Sequence, residues 1–193
     1  MTGPAPALLL DTCSIINLSY CSPVATLFKQ RYAGRTGWAR AVQAELLRQR
    51  SRKPPHPQAG RAGNWAASWL PSPIDIVDEP DQAAVEDIQH RIALGSDDDN
   101  LDHLGEAASI HLLTIAGSGR LISDDHGARA VARAAPHHVN ASSTVGVLSE
   151  LLSRQVVTAE TVDLYLEALR KHERMRIALT ASHLVHGELA SWA

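Results

Sequence analysis

Several features that mark particular protein classes are scarce in this sequence. Only two of its 193 residues are cysteines, Cys13 and Cys21, and they form no CxxC pair. This excludes a cysteine-rich zinc site and predicts two idle thiols. No apolar run reaches the roughly 18 residues needed to cross a bilayer, and no signal peptide pattern opens the chain. We therefore expect a cytoplasmic protein that does not associate with a membrane.

Aromatic residues and net positive charge are also scarce. One Phe, three Tyr and four Trp leave the core to be built from Ala, Leu, Ile and Val. The formal net charge is −3, so the protein has no overall basic field. If it binds nucleic acid, the attraction has to come from a local basic patch or from bound cations.

The pattern that remains is typical of one soluble α/β domain. Apolar residues make up 45% of the chain and charged residues 20%, which suits a globular protein of this length. Short apolar runs at residues 7–10 and 120–123 predict buried parallel strands, and weaker patterns suggest strands at 74–77 and 137–140. Because helical patterns alternate with these runs, we expect a parallel sheet covered by helices.

Apolar periodicity predicts helices through most of the remaining chain. Ser14 is predicted to cap the first helix and Asp81 a later one. The predicted helices span residues 14–20, 22–31, 39–50, 64–70, 81–94, 104–116, 127–134, 144–154, 159–174 and 177–189.

Five carboxylates are notable for their positions. Asp11 and Asp124 each follow an apolar strand at its carboxyl end, where open α/β sheets place their sites. Glu45 lies among apolar residues of a helix, Glu106 lies in the first turn of an apolar helix, and Asp125 adjoins Asp124. Each has an ordinary alternative as a helix cap, a partner of the helix dipole or a solvated side chain. Together they predict a cluster whose mutual repulsion a divalent cation would relieve.

Other polar clusters favour less specific interpretations. His126 adjoins the predicted cluster and is the one histidine that we expect to lie near it. His183 and His186 lie three residues apart without an HExxH pattern, which favours an exposed helix face. A further acidic run resembles a solvated loop, and its spacing excludes an EF-hand. That run comprises Asp97, Asp98, Asp99 and Asp102.

Three short motifs, in this order and spacing, resemble the PIN-domain ribonuclease family. They are residues 8–18 (LLLDTCSIINL), residues 104–110 (LGEAASI) and residues 121–125 (LISDD), the last followed by Ala128 and Arg129. The resemblance extends from about Leu8 to about Arg170. It implies a PIN-like three-layer α/β/α sandwich with a short, mainly parallel sheet. We expect the nuclease domain at residues 1–175 and a C-terminal helical tail at 176–193.

The resemblance also implies a chemistry. It implies that Asp11, Glu45, Glu106, Asp124 and Asp125 form the catalytic cluster. Of these, Asp11, Glu106, Asp124 and Asp125 would be the ligands of Mg²⁺ or Mn²⁺. Ser123 would be a polar support, and Thr12 or Ser14 would line the pocket. Hydrolysis of an RNA phosphodiester bond follows as the expected reaction.

The expected partners follow from the same family and from the local charge. Many of its members are VapC-type toxins that are paired with a small antitoxin protein, and a homodimer is compatible with the resemblance. The densest basic stretch could engage RNA phosphates, although a solvated helix end is the alternative. It comprises Arg48, Arg50, Arg52 and Lys53. The long proline-rich segment 48–70 and the tail beyond Met175 depart from the shortest toxins of the family.

Competing functions find less support in the sequence. A phosphatase with a strand-end aspartate nucleophile typically has a second acid two residues later, where this chain has Cys13. A dinucleotide-binding fold needs a glycine fingerprint after its first strand, and residues 11–18 contain no glycine. A non-toxin nuclease of RNA processing or defence and a catalytically silent interaction module remain as alternatives. Manganese binding without RNA cleavage would favour the silent module.

Overall fold

The computed structural model describes residues 6–94, 103–172 and 179–185. It confirms an α/β fold in which the described helices surround one parallel sheet. The strands are β1 (Leu8–Leu10), β2 (Thr36–Gly37), β3 (Arg120–Ile122) and β4 (Asn140–Ser142). The helices are α1 (Thr12–Tyr20), α2 (Ser22–Tyr32), α3 (Arg40–Ser51), α4 (Ala59–Ala67), α5 (Glu79–Leu94), α6 (Leu104–Ala116), α7 (His126–Arg133), α8 (Thr144–Ser153), α9 (Ala159–His172) and α10 (Ala181–Val185).

The sheet has the strand order β2-β1-β3-β4, and all its pairings are parallel. Successive residues of a strand point to opposite faces of the sheet. Leu9 and Leu10 of β1 are both buried, and so are Leu121 and Ile122 of β3. Helices therefore cover both faces of the sheet, which explains why these strands are continuous apolar runs rather than alternating ones.

Two of the weaker strand predictions are wrong. Residues 74–77 form a single bridge, between Ala39 and Ile74. The ladder does not continue beyond this bridge, and the Ile76 amide donates to the side chain of Asp75. The last strand is Asn140–Ser142 rather than 137–140, since His138 has a positive φ of 50° that no strand residue adopts. The two-residue strand β2 was too short to produce a sequence pattern.

Several helix boundaries also differ from those expected. Asp11, not Ser14, caps α1: its side chain accepts the Ser14 amide, and the helix begins at Thr12. Helix α5 begins at Glu79, so Asp81 lies inside its first turn. Helix α4 is Ala59–Ala67, so it begins five residues before the predicted start at Asn64, and Trp69 lies beyond its end.

The described part of the C-terminal segment packs against the domain. Helix α10 lies against α8 and α9, and its Leu184 is buried. The Ala181 amide donates to Asp163 Oδ1 at 2.7 Å, which fixes the start of α10 on α9. The predicted acidic loop, His186 and the end of the tail lie outside the described residues. Among the described helices none has both the length and the apolar character of a membrane span.

The burial of β3 predicts a large cost for shortening Leu121. Leu121→Ala should lower the free energy of unfolding by about 2–5 kcal/mol, because it removes buried methyl groups and leaves a cavity between covered faces. The matched control is Leu164→Ala on α9, where the leucine is 50% exposed, and its cost should be below about 1 kcal/mol. Urea denaturation measures both. Equal losses would contradict the central position of β3.

Candidate active site

The carboxyl edge of the sheet gathers the predicted aspartates. Asp11 follows β1, and Asp124 and Asp125 follow the adjacent strand β3. The Asp11 amide donates to the Ile122 carbonyl at 3.2 Å, which continues the strand pairing up to the site. Parallel neighbouring strands therefore bring two acidic positions more than 100 residues apart to one edge.

Asp11 is completely buried, and only one of its two carboxylate oxygens accepts a hydrogen bond from the described residues. Its Oδ1 accepts the Ser14 amide at 2.7 Å, whereas its Oδ2 has no hydrogen-bond partner among the described residues. Burial raises the pKa of Asp11 to about 7, and the charge of Asp124 acts in the same direction. The hydroxyls of Ser123 and Ser14 and the Ser14 amide oppose this shift. The cap holds the carboxylate in place and leaves one oxygen for another ligand.

Glu106 is the second buried acid of the site. It lies in the first turn of α6, is 3% exposed, and its Oε2 has no partner among the described residues. Burial raises the pKa of Glu106 well above its ordinary value, and the charges of Asp11 and Glu45 raise it further. A free anion in this position would be costly, so the carboxyl group needs either a proton or a cation.

Glu45 approaches the site from α3. Its Oε2 accepts the Thr12 hydroxyl at 2.6 Å, which ties α3 to the start of α1. The neighbouring position on α6 is Gly105, and a Cβ there would lie 3.0 Å from Glu45 Oε2 and 3.0 Å from a methyl group of Val42. The absence of a side chain at Gly105 is what allows the carboxylates of α3 and α6 to approach each other.

Asp124 is held by a polar network from three helices. Its Oδ2 accepts Asn17 Nδ2 of α1 at 2.7 Å, and its Oδ1 accepts the Thr144 amide of α8 at 2.8 Å. The Thr144 hydroxyl lies within 3.0 Å of both oxygens and itself accepts the Tyr165 hydroxyl of α9 at 2.7 Å. Because the Thr144 hydroxyl has one proton, it can donate to only one oxygen of Asp124 at a time. Asp124 therefore keeps a lone pair that accepts no hydrogen bond from these residues.

Asp125 divides its two oxygens between a cap and the site. Its Oδ1 accepts the Ala128 amide at 2.9 Å and thereby caps α7. Its Oδ2 lies 3.5 Å from Nδ1 of His103, the residue that precedes α6. Potential ligand atoms of His103, Glu106 and Asp125 lie within 4.8 Å of one another, which is close enough to hold one metal ion.

The surroundings of Cys13 show that the carboxylates of the cluster act electrostatically on the same thiol. Cys13 is solvent-exposed in the first turn of α1. The protein atoms crowded around its thiol and the charges of four carboxylates raise its pKa well above the ordinary thiol value. Those carboxylates belong to Asp11, Glu106, Glu45 and Asp124. Four predicted acids thus act on one point of the surface, although they come from α3, α6 and two strand ends.

One buried cation borders the site. Arg129 of α7 is 3% exposed, and its guanidinium donates to the Ser123 carbonyl at 2.9 Å. Burial lowers the pKa of Arg129, and the nearby charges of Asp124, Asp125 and Asp11 oppose that shift. Arg129 therefore contributes positive charge behind the aspartates rather than in the opening of the site.

The predicted RNA-binding stretch lies on the helix that carries Glu45. Arg48 and Arg50 occupy the last turn of α3, and Arg52 and Lys53 follow its end. All four side chains are exposed to solvent. His126 is exposed at the start of α7, next to Asp125.

The donor set fits a divalent metal ion. Two buried carboxylates each present an oxygen that no described residue satisfies, and a buried polar atom of this kind is normally paired. Burial raises both pKa values first, and repulsion by neighbouring carboxylates adds to it. A divalent cation coordinated by these oxygens would replace the missing partners and offset both costs. Carboxylate oxygens suit Mg²⁺ and Mn²⁺. The residues predicted to hold the ion are Asp11, Glu106, Asp124 and Asp125. Of these, Glu106 and Asp125 lie with His103 in a group whose ligand atoms are within 4.8 Å of one another, and the roles of Asp11 and Asp124 as ligands stay a prediction.

Sequence patterns alone did not reveal four residues of this site. Asn17 and Thr144 fix Asp124, Tyr165 supports Thr144, and His103 lies beside Asp125. A polar residue inside the apolar first helix was a signal for Asn17. The polar residues at the end of β4 indicate Thr144 only if the strand ends at Ser142, whereas the sequence predicts that it ends at Asn140.

The fold and the edge cluster together define a nuclease-like α/β domain. A family model described as DUF3368, a PIN domain, matches residues 7–187. The chain belongs to this PIN-domain family, whose members are generally nucleases. Comparisons with curated proteins and with solved structures gave no significant match.

The raised pKa of Asp11 predicts how the metal-free fold responds to pH. Between the ordinary value of 3.8 and about 7, the folded protein binds more protons at Asp11 than the unfolded chain does. Stability should therefore fall as pH rises through this window, by on the order of 1.4 kcal/mol per pH unit. Asp11→Asn should remove this contribution, leaving that of Glu106, whose pKa is also raised. The variant should keep the helix cap, because asparagine also caps helices.

Urea denaturation in the presence of chelator, at several pH values from 4 to 7, measures this difference. Asp87→Asn on the exposed side of α5 is the matched control and should follow the wild type. Parallel curves for wild type and Asp11→Asn would contradict a raised pKa at Asp11.

Proposed function

We propose that this protein is a divalent-metal-dependent endoribonuclease and the toxin of a toxin–antitoxin pair. The observation that carries the nuclease proposal is the pair of buried carboxylates, Asp11 and Glu106, each with one oxygen lacking a partner among the described residues. Structural caps would use both oxygens or expose the second one to water. These two residues do neither, which is expected of groups that hold a cation.

When bound, Mg²⁺ or Mn²⁺ would activate water and offset charge developing on the scissile phosphate. The chain's own residues supply the geometry. The Ser14 amide fixes Asp11, Thr12 fixes Glu45, and Asn17 with Thr144 fixes Asp124. Because these carboxylates cannot swing away, the phosphate and the attacking water would meet a preorganised set of charges.

The remaining roles concern the substrate. Arg48, Arg50, Arg52 and Lys53 extend from the helix of Glu45 and would contact RNA phosphates along the approach to the site. Water attack on phosphorus would break the bond to the 3′ oxygen, leaving a 5′-phosphate and a 3′-hydroxyl. No protein nucleophile is required, and the Cys13 thiol is a poor one because its pKa is raised.

The toxin role rests on the family resemblance. A small antitoxin protein is the proposed partner, and a homodimer is the proposed assembly. A solitary processing or defence nuclease would use the same carboxylates, so cellular behaviour distinguishes the two.

The reaction provides the first test. Purified protein with Mn²⁺ should cut structured RNA, chelator should stop the cleavage, and the products should carry 5′-phosphate and 3′-hydroxyl ends. Asp11→Asn and Glu106→Gln should reduce the rate to the level seen with chelator, because each removes a charged oxygen from the cluster. The exposed Asp87→Asn is the control and should cleave like the wild type. Cyclic-phosphate ends formed in chelator would contradict the proposal.

Growth provides the second test. Overproduction of the active protein alone should arrest growth, and replacing both Asp124 and Asp125 with Asn should relieve the arrest. Immunoblotting at equal induction checks that the variant accumulates. Normal growth of cells that contain active nuclease would contradict the toxin role and leave the nuclease proposal standing.

A further inference from the structure

One imidazole lies inside the carboxylate cluster without an evident structural duty. His103 immediately precedes α6, but its side chain makes no capping hydrogen bond to that helix. Its backbone carbonyl performs the helix-start role by accepting the Ala107 amide at 3.0 Å. The imidazole therefore does not cap α6, although residues at this position usually cap the helix with their side chains.

The orientation of His103 directs it toward two of the predicted metal ligands. His103 and Glu106 are three residues apart, so they lie on the same side of the first turn of α6. Asp125 reaches the same point from the cap of α7, with its Oδ2 3.5 Å from His103 Nδ1. All three side chains offer ligand atoms within 4.8 Å of one another.

The hydrogen bonding of the imidazole is incomplete. The distance from Nδ1 to Asp125 is longer than a good hydrogen bond. The other ring nitrogen, Nε2, is buried and has no partner among the described residues. Glu106 is 3% exposed, and its Oε2 has no partner among the described residues either. A buried carboxylate oxygen of this kind is normally paired, and it belongs to the same three-residue group as His103 and Asp125.

We propose that His103 is a nitrogen ligand of the metal ion, together with Glu106 and Asp125, and that it makes the site selective for Mn²⁺ over Mg²⁺. The inference rests on the proposed metal-dependent function. Mg²⁺ strongly prefers oxygen ligands, whereas imidazole nitrogen binds first-row transition ions well. A site with one nitrogen ligand and two carboxylate ligands therefore favours Mn²⁺ over Mg²⁺. A site built from carboxylates alone would discriminate far less between the two ions.

Pulsed electron paramagnetic resonance of the Mn²⁺-loaded full-length protein tests direct ligation. The spectrum should show hyperfine coupling to one ¹⁴N nucleus, and labelling the histidines with ¹⁵N should convert it to ¹⁵N coupling. This measurement needs no variant, so it holds even if replacing His103 disturbs folding. It also distinguishes a ligand from a histidine that only positions Asp125, because such a histidine would give no directly coordinated nitrogen.

Binding measurements test selectivity and identify the histidine. His103→Ala should remove the nitrogen coupling and weaken Mn²⁺ binding by at least the roughly 10–100-fold that losing a hydrogen-bond partner of a ligand costs. Mg²⁺ binding, measured by competition, should change far less. His90→Ala, an exposed histidine on α5, is the matched control and should retain both the coupling and the affinity.

The outcomes separate this inference from the proposed function. Mn²⁺ binding with no nitrogen coupling, or coupling and selectivity that survive in His103→Ala, overturns the role of His103 and leaves a carboxylate-only nuclease site intact. Failure of the wild type to bind either ion overturns both. Loss of coupling together with loss of Mn²⁺ selectivity in His103→Ala supports the proposal.

Discussion

The electrostatic cost of two buried carboxyl groups governs the arrangement of this domain. Asp11 and Glu106 are placed where water is excluded, and each repels the other acids of the cluster. The fold cannot hold them as unpaired anions without a large penalty. Hydrogen bonds hold the neighbouring acids in place against this repulsion. Thr12 holds Glu45, and Asn17 and Thr144 hold Asp124.

The helix caps show how few residues this positioning requires. Asp11 and Asp125 each use one oxygen to start a helix and leave the other facing the site. A capping hydrogen bond fixes the side chain relative to the backbone, so the second oxygen is fixed as well. The sequence alone presents capping and site roles as alternatives. In the structure each of these aspartates can have both roles, because each role uses a different carboxylate oxygen.

The strands that carry the aspartates were predictable because a buried parallel strand is a continuous apolar run that ends in a polar residue. Helix α6 was predictable to its exact bounds because the left-handed Gly117 terminates it. The contribution of β4 was not predictable, since Asn140–Ser142 is a short polar segment whose burial depends on its neighbours. The same holds for His103 and Tyr165, whose importance lies in contacts between distant helices.

The negative charge of the cluster also bears on how the proposed metal ion and the proposed RNA substrate would bind. The chain has a net charge of −3, and the charges of four carboxylates act together on Cys13, so the metal-free cluster is unfavourable for a polyanion. Arg129 is too deeply buried to reverse that sign at the surface. The basic stretch follows Glu45 along α3 and is not part of the cluster itself. Under the proposed function, a divalent ion at the cluster would change the sign of the charge that a scissile phosphate meets. The same carboxylates that destabilise the metal-free fold would then make productive binding of a polyanion dependent on the metal.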